Sequence, residues 1–353
     1  MAMGLAFALV AAACGGDDSS DEATPVNFVL QWVTQAQFAG YFAAADQGFF
    51  AEEGLDVTII EGGPDIAPQA YLASGQADVG EAWAPKALVA VEEEADIVNI
   101  AQVFQRGGTL EVSWADSGIS APADWAGKKV GVWPFGNEFE VTAAVNKFGV
   151  ADVEYFTQGF DMLALLSREI DAAEAMIYNE YAQLLEAENP DTGQLYQASD
   201  FNVIDTNDIG TAMLQDGVWA RSDWLDDNEE AAEGFLRAAF KGWIYCRDNF
   251  DACVDIVLAR GSELGRSHQE WQLNEINSLI WPSPDGIGYM DQALWDQTVD
   301  VATSEGILAA APSDDAFTRD LVEKVLKDLE DEGFDVVGNS WQRKTIELQP
   351  SGN

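Results

Sequence analysis

Aromatic and amide side chains recur together at four places in this chain. The first place holds Gln31, Trp32, Gln35, Gln37, Phe38 and Tyr41, and the second centres on Trp83. The third is Trp133-Pro134-Phe135-Gly136-Asn137-Glu138, and the fourth is Tyr178-Asn179-Glu180. Aromatic faces stack on flat π-systems. Amides offer donors and acceptors to the edge of such a ring. A carboxylate accepts from an amino or imide N–H through a charge-assisted bond, stronger than a neutral one. The set suits a planar nitrogen heterocycle better than a sugar or an amino acid. Trp32, Trp83, Trp133 and Tyr178 are the candidates for stacking. Gln35, Asn137, Glu138, Asn179 and Glu180 are the candidates for polar contacts. No Arg or Lys falls within these segments to face a phosphate or sulfonate.

Each feature alone also has a structural explanation. Asn137 and Glu140 have the spacing of a helix N-cap and its third residue. Trp83 and Trp133 could fill a core, and Tyr178 could pack on Tyr181. The functional reading rests on all four segments falling just after strands.

Catalytic constellations are missing. The single histidine, His268, lies in Ser267-His268-Gln269-Glu270-Trp271, which does not fit a His-Glu-x-x-His zinc site. No Gly-x-Ser-x-Gly elbow accompanies it, so a surface or capping role is expected. No phosphate-cradling glycine loop follows a strand, and no EF-hand loop is present. No metal and no cofactor is expected. Lys and Arg number 17 against 62 Asp and Glu, a net charge of −45. That balance excludes nucleic acid, which requires a basic footprint. It suits a solvated acidic surface in a salty medium, where screening weakens self-repulsion.

The elements that must position these residues follow from periodicity. Val26–Gln31 alternates as a strand, and a helix is expected over Phe38–Gln47. Strands are expected at Leu55–Ile60, Ala77–Gly80 and Ile97–Phe104, with helices at Ala67–Ser74 and Pro85–Glu94. A second series runs through strand Val130–Trp133, helix Glu138–Phe148, strand Ile170–Met176, helix Asn179–Glu188 and strand Phe201–Ile204. The chain is mainly helical from Trp224 onward. Phe317, Leu321, Val325, Leu326 and Leu329 mark a last amphipathic helix. Strands alternating with helices predict α/β lobes with mostly parallel sheets. The segments Val112–Ser117 and Asp208–Leu214 separate the two series and are candidate crossovers between lobes. At 353 residues the chain accommodates two lobes of ordinary domain size.

The apolar run at residues 5–13 is too short to span a bilayer and reads as the core of an export signal. Small residues before Cys14, then a polar acidic stretch, resemble the lipobox of bacterial lipoproteins. That resemblance implies cleavage before Cys14 and a lipid on its thiol, which would anchor the protein to the outer face of a cell membrane. Cys246 and Cys253 would lie about 10 Å apart on one continuous helix, too far for a disulfide. The polar Arg247-Asp248-Asn249 stretch reads instead as a break between two helices. A disulfide and a pair of buried thiols both stay open.

Longer stretches carry a family resemblance. Gln31 to Phe50 (QWVTQAQFAGYFAAADQGFF), Glu53-Gly54-Leu55-Asp56-Val57, Ser74 to Gly80, Gly127 to Trp133, Tyr178-Asn179-Glu180-Tyr181 and Gly210 to Asp216 resemble ABC-importer solute-binding proteins related to yeast thiamine-pyrimidine synthase. The resemblance implies an α/β, type II periplasmic-binding-protein fold, with a ligand held in a cleft between two hinged lobes. It adds Asp216 to the expected ligand-binding set, which already holds Gln31, Phe135 and Gly136 from the first and third segments. It places a signal and tether at 1–25, one lobe at 26–113 plus 212–353, and the other at 114–211. Relatives bind thiamine pyrimidine precursors, riboflavin or small sulfonates. Gln35 and Gln37 in the first loop leave riboflavin and a pyrimidine precursor both open. The implied partners are that ligand and an ABC permease, for a monomeric receptor. The eukaryotic synthase consumes a histidine and uses a cysteine-rich motif. This chain has no cysteine cluster, and its histidine lies outside the matched loops, so a binding protein is expected and not an enzyme; a pyrimidine-synthesising enzyme on the same scaffold and a receptor for a small sulfonate are the alternatives.

Overall fold

A computed structural model describes residues 23–261 and 263–350. The expected lipidation at Cys14 and the export signal lie outside these residues. The chain opens with strand β1 (Thr24–Val29), then β2 (Leu55–Ile60), β3 (Val79–Ala82) and β4 (Ile97–Gln102), with helices between them. It then crosses to a second sheet built from β5 (Thr109–Trp114), β6 (Lys129–Val132), β7 (Glu154–Thr157), β8 (Ala172–Met176) and, after the short hairpin β9 (Glu188–Asn189) and β10 (Gln194–Leu195), β11 (Phe201–Asp205). Strand β12 (Gly217–Arg221) returns to the first sheet. The sheet orders are β2-β1-β3-β12-β4 and β11-β5-β8-β6-β7.

Neither sheet is all parallel. Strand β12 runs antiparallel to β3 and β4, and β5 runs antiparallel to β8 and β11. Each is the first strand after the chain changes lobe, so it enters its sheet from the opposite end. The expected boundary at 113/114 falls inside β5, which pairs entirely in the second sheet. The first crossing is therefore residues 103–108 and not Val112–Ser117. The second lies between β11 and β12, and the Asp208–Leu214 segment falls within it. Gly107 and Gly108 suit the first crossing: a Cβ on Gly108 would press on Tyr178 and Leu279.

The first lobe carries the larger core, because the C-terminal helices return to it. Helix Ala39–Asp46 packs on helix Glu229–Asp248. Their backbones meet at Gly40 and Gly242, where a Cβ on Gly242 would collide with the Gly40 carbonyl. Trp243 fills the space above Gly40. The last helix, Asp320–Asp331, buries Leu321, Val322, Val325, Leu326 and Leu329.

Helix Glu229–Asp248 ends at Asn249, and helix Phe250–Arg260 starts at once. That break brings the Cys246 and Cys253 Cα atoms to 5.0 Å, and a disulfide joins them. Closing this short loop restricts the unfolded chain. Replacing both cysteines with alanine is expected to cost about 2 kcal/mol, read as a lower denaturant midpoint. An unchanged midpoint would show that the helix packing alone holds the corner.

Candidate functional site

The four aromatic–amide segments converge. Trp32 follows the end of β1, Trp83 follows β3, Trp133 follows β6 and Tyr178 follows β8. In open α/β sheets the space beyond the strands' carboxyl ends is where ligands bind. A cavity of about 60 Å³ lies there, lined by Gln31, Trp32, Gln35, Gln37, Trp83, Trp133, Asn137, Phe160, Met176, Tyr178, Asn179 and Glu180. Trp83, Trp133 and Tyr178 are buried walls. Trp32 of one lobe meets Phe160 of the other edge-on, with ring centroids 4.9 Å apart.

Buried carboxylates hold the walls from behind. Asp216 accepts from the Trp83 indole Nε1 and from Gln37 Nε2, both at 2.6 Å, and Gln35 Nε2 donates to Gln37 Oε1 at 2.6 Å. Burial pushes the Asp216 carboxyl up to about 6, against the pull of those donors. Glu81, behind it, accepts from the Tyr41 hydroxyl at 3.5 Å. Burial first, then the Asp216 charge, pushes Glu81 well above the usual carboxylate range. On the other lobe Glu174 accepts from the Trp133 backbone N–H at 2.8 Å, while the Trp133 indole donates to the Gly159 carbonyl at 2.8 Å. Trp133 is thus fixed at both ends. Glu180 accepts from the Met176 N–H at 2.9 Å and from Asn179 Nδ2 at 2.7 Å. Burial raises Glu180 to about 6. The buried Gln31 Oε1 has no protein donor.

Six expected site residues lie elsewhere. Phe38 and Tyr41 are on the far side of their helical segment, and Tyr41 packs on Phe28 and Trp243 in the core. Phe135 is 91 % exposed. Its φ of 69°, followed by Gly136 at 92°, is a left-handed pair that turns the ring outward. Glu138 accepts from the Gly136 N–H at 2.8 Å, so it closes this turn and does not line the cavity. Asp216 stands behind the wall. Asn137 does not cap the helix that follows: it donates to the Pro134 carbonyl and accepts from Lys86 Nζ at 2.7 Å.

Phe160, Met176, Lys86 and His268 are additions. Met176 is the last residue of β8, and Phe160 follows the end of β7, so strand ends marked both. Lys86 brings a cation beside the site. Burial lowers its amine to about 8, and Glu174, Asp216 and Glu138 oppose that shift. His268 is neither a surface nor a capping residue. It is 4 % exposed, with Nε2 2.8 Å from Asn179 Oδ1 and Nδ1 3.1 Å from both carboxylate oxygens of Glu186. Nothing around Ser267-His268-Gln269 in sequence marks a partner 82 residues away. Among the described residues, no group of three or more His, Cys, Asp or Glu side chains is placed to hold a metal.

Residues 35–252 match the model of the NMT1/THI5 like family. The chain belongs to this family. Among curated proteins, this NMT1/THI5 like chain is 25 % identical over 302 residues to the formylaminopyrimidine-binding protein of Halalkalibacterium halodurans, covering 82 % of the chain and 89 % of that protein. It is 24 % identical over 313 residues to the riboflavin-binding protein RibY of Chloroflexus aurantiacus, covering 84 % and 86 %. A 4-amino-5-hydroxymethyl-2-methylpyrimidine phosphate synthase of Uromyces fabae is 24 % identical over 226 residues, covering 62 % and 65 %. Among solved structures, the periplasmic aliphatic sulphonate binding protein SsuA of Escherichia coli superposes with a TM-score of 0.62 at 15 % identity, covering 93 % of this chain and 97 % of that one. SsuA of Methylobacillus flagellatus gives 0.62 at 17 %, covering 93 % and 99 %. The fold is the α/β, two-lobed, type II periplasmic-binding-protein fold.

Proposed function

We propose that this chain is an exported solute-binding protein of an ABC importer and captures an aminopyrimidine-like, single-ring nitrogen heterocycle between its lobes. The observation that carries this reading is the cavity itself. Trp83, Trp133 and Tyr178 wall a slot for a flat ring, and amide and carboxylate groups stand at its edges. Gln31 Oε1, buried without a protein donor, is an acceptor for a ring amino group. The size of the slot favours one ring over a flavin. At about 30 Å³ of liquid volume per water, the slot of about 60 Å³ holds about two waters, so a single ring asks for less widening of it than a tricyclic flavin. The relative that binds formylaminopyrimidine agrees with this choice. Riboflavin is the second reading, favoured by the likeness to RibY over most of both chains. We infer capture without turnover because the carboxylates behind the walls are occupied in fixing aromatic rings. Lobe closure would trap the ligand for a permease, with the protein held at the membrane through Cys14.

Titration of the purified protein with 4-amino-5-hydroxymethyl-2-methylpyrimidine and with riboflavin, followed by tryptophan fluorescence, tests this. Saturable quenching by the pyrimidine and none by riboflavin is expected. Quenching by riboflavin alone reverses the choice, no response to either sinks the vitamin reading, and turnover of the pyrimidine would make the chain an enzyme. In the same assay Glu180→Ala should bind about tenfold more weakly, the loss of one hydrogen bond to a charged group, while remaining folded. Unchanged affinity would remove Glu180 from the site.

A further inference from the structure

We propose that His268 is a positioning residue: it latches the two lobes together and fixes the orientation of Asn179 at the cavity wall. Helix Arg266–Ile280 belongs to the first lobe, packing on Ala36–Phe38 and on helix Phe250–Arg260. Gln269, next to His268, accepts from the Ala36 N–H at 2.8 Å, which pins the start of this helix beside the first cavity loop. His268 then reaches across the cleft. Its two partners, Asn179 and Glu186, sit just before and at the end of helix Glu180–Glu186 in the second lobe.

The Asn179 amide sets one bonding direction. Asn179 Nδ2 donates to Glu180 Oε1 at 2.7 Å, so Asn179 Oδ1 is the atom that faces His268. Turning that amide over would set its N–H₂ against the ring and its oxygen against a carboxylate. His268 Nε2 therefore carries a proton. Nδ1 lies 3.1 Å from both oxygens of Glu186. One further proton, shared between Nδ1 and the Glu186 carboxyl, satisfies every partner where both side chains are buried. A buried polar network of this kind specifies one arrangement only when every member is satisfied, and here each member is. The other charged groups on this helix are engaged elsewhere: Arg266 with Asp255 and Glu270, and Glu275 with Arg343. A chain thus runs from Glu186 through His268 and Asn179 to Glu180, linking a lobe contact to the cavity edge. The Trp271 indole, which donates to the Ile177 carbonyl at 2.9 Å, supports the same contact but touches no cavity residue.

The ligand arm of the test rests on the capture reading above; the other arm does not. Without ligand, small-angle scattering should give a larger radius of gyration for His268→Leu than for the wild type. An unchanged radius overturns the latch whatever the protein binds. With 4-amino-5-hydroxymethyl-2-methylpyrimidine, His268→Leu and Asn179→Ala should each weaken binding by about tenfold. The double variant should be no worse than either, because both break one chain. His268→Gln, which restores an N–H toward Asn179, should recover part of the loss, and it carries both arms if the leucine variant does not fold. Additive losses, or no recovery with glutamine, overturn the positioning role. If the wild-type protein binds neither the pyrimidine nor riboflavin, the capture reading falls, and the scattering arm still decides the latch.

Discussion

Asp216→Ala is expected to abolish useful ligand capture, with an affinity loss of about 100-fold or more, and to cost about 3 kcal/mol of stability. Asp216 touches no space in the cavity, yet two wall residues depend on it. Its carboxylate takes the Trp83 indole N–H and the Gln37 amide, and Gln37 in turn holds Gln35. Alanine leaves those two donors buried and unpaired, at about 1–3 kcal/mol each. Part of that is offset, because the repulsion between Asp216 and Glu81 disappears. The larger effect is on binding: a stacking wall tolerates little displacement, and its supporting shell sets its position. Asp216→Asn separates the terms. It keeps the volume but has one acceptor facing two donors, so it should fall between the wild type and alanine. Isothermal titration well below the melting midpoint measures affinity on folded protein, and denaturant unfolding measures stability. Wild-type affinity in Asp216→Ala would remove Asp216 from any part in the site.

The loops that form the cavity were legible in the sequence because strand ends and aromatic residues coincide there. Trp32, Trp83, Trp133 and Tyr178 each follow a strand whose apolar pattern is plain. Three kinds of residue were not legible. Phe38 and Tyr41 share a segment with Gln35 and Gln37, but only the helix that starts at Ala39 decides which side faces the core. Phe135 reads as a wall residue until Phe135 and Gly136 adopt positive φ and turn the ring away. His268 and Asn179 lie 89 residues apart, and no local pattern reports a bond across two lobes. The crossing at 103–108 was hidden for a related reason. Strand β5 is short and alternates polar with apolar residues whichever sheet it joins, and only its pairing with β8 and β11 assigns it to the second lobe.

The unliganded protein is expected to melt at a higher temperature at pH 5 than at pH 8. Glu140 sits beside the second crossing, accepting from the Met213 N–H at 2.5 Å and from Gln215 Nε2 at 3.1 Å. Burial raises it to about 7 despite those bonds. Asp216 and Glu180 are raised to about 6, also by burial. The sign follows from proton counting. Between the ordinary carboxylate range near 4 and these raised values, the folded state holds protons that the unfolded state has released. Stability is therefore fully present below about 4 and falls as pH rises through 6 and 7. Glu140 alone, moved from 4.5 to about 7, corresponds to about 3 kcal/mol. Lys86, lowered to about 8, is charged in both states up to about pH 7 and adds only a small term of opposite sign near pH 8, where the unfolded state holds more of its proton. The acidic surface, with its charge of −45, would give the same sign through repulsion, so salt must separate the two sources. Exposed charges are screened within about 3 Å at 1 M salt, whereas buried groups are screened much less. A pH dependence that survives at high salt and is reduced between pH 5 and 7 by Glu140→Gln assigns the effect to the buried carboxyls. A dependence that vanishes in salt, with Glu140→Gln matching the wild type, would assign it to the surface and remove the crossing from the account.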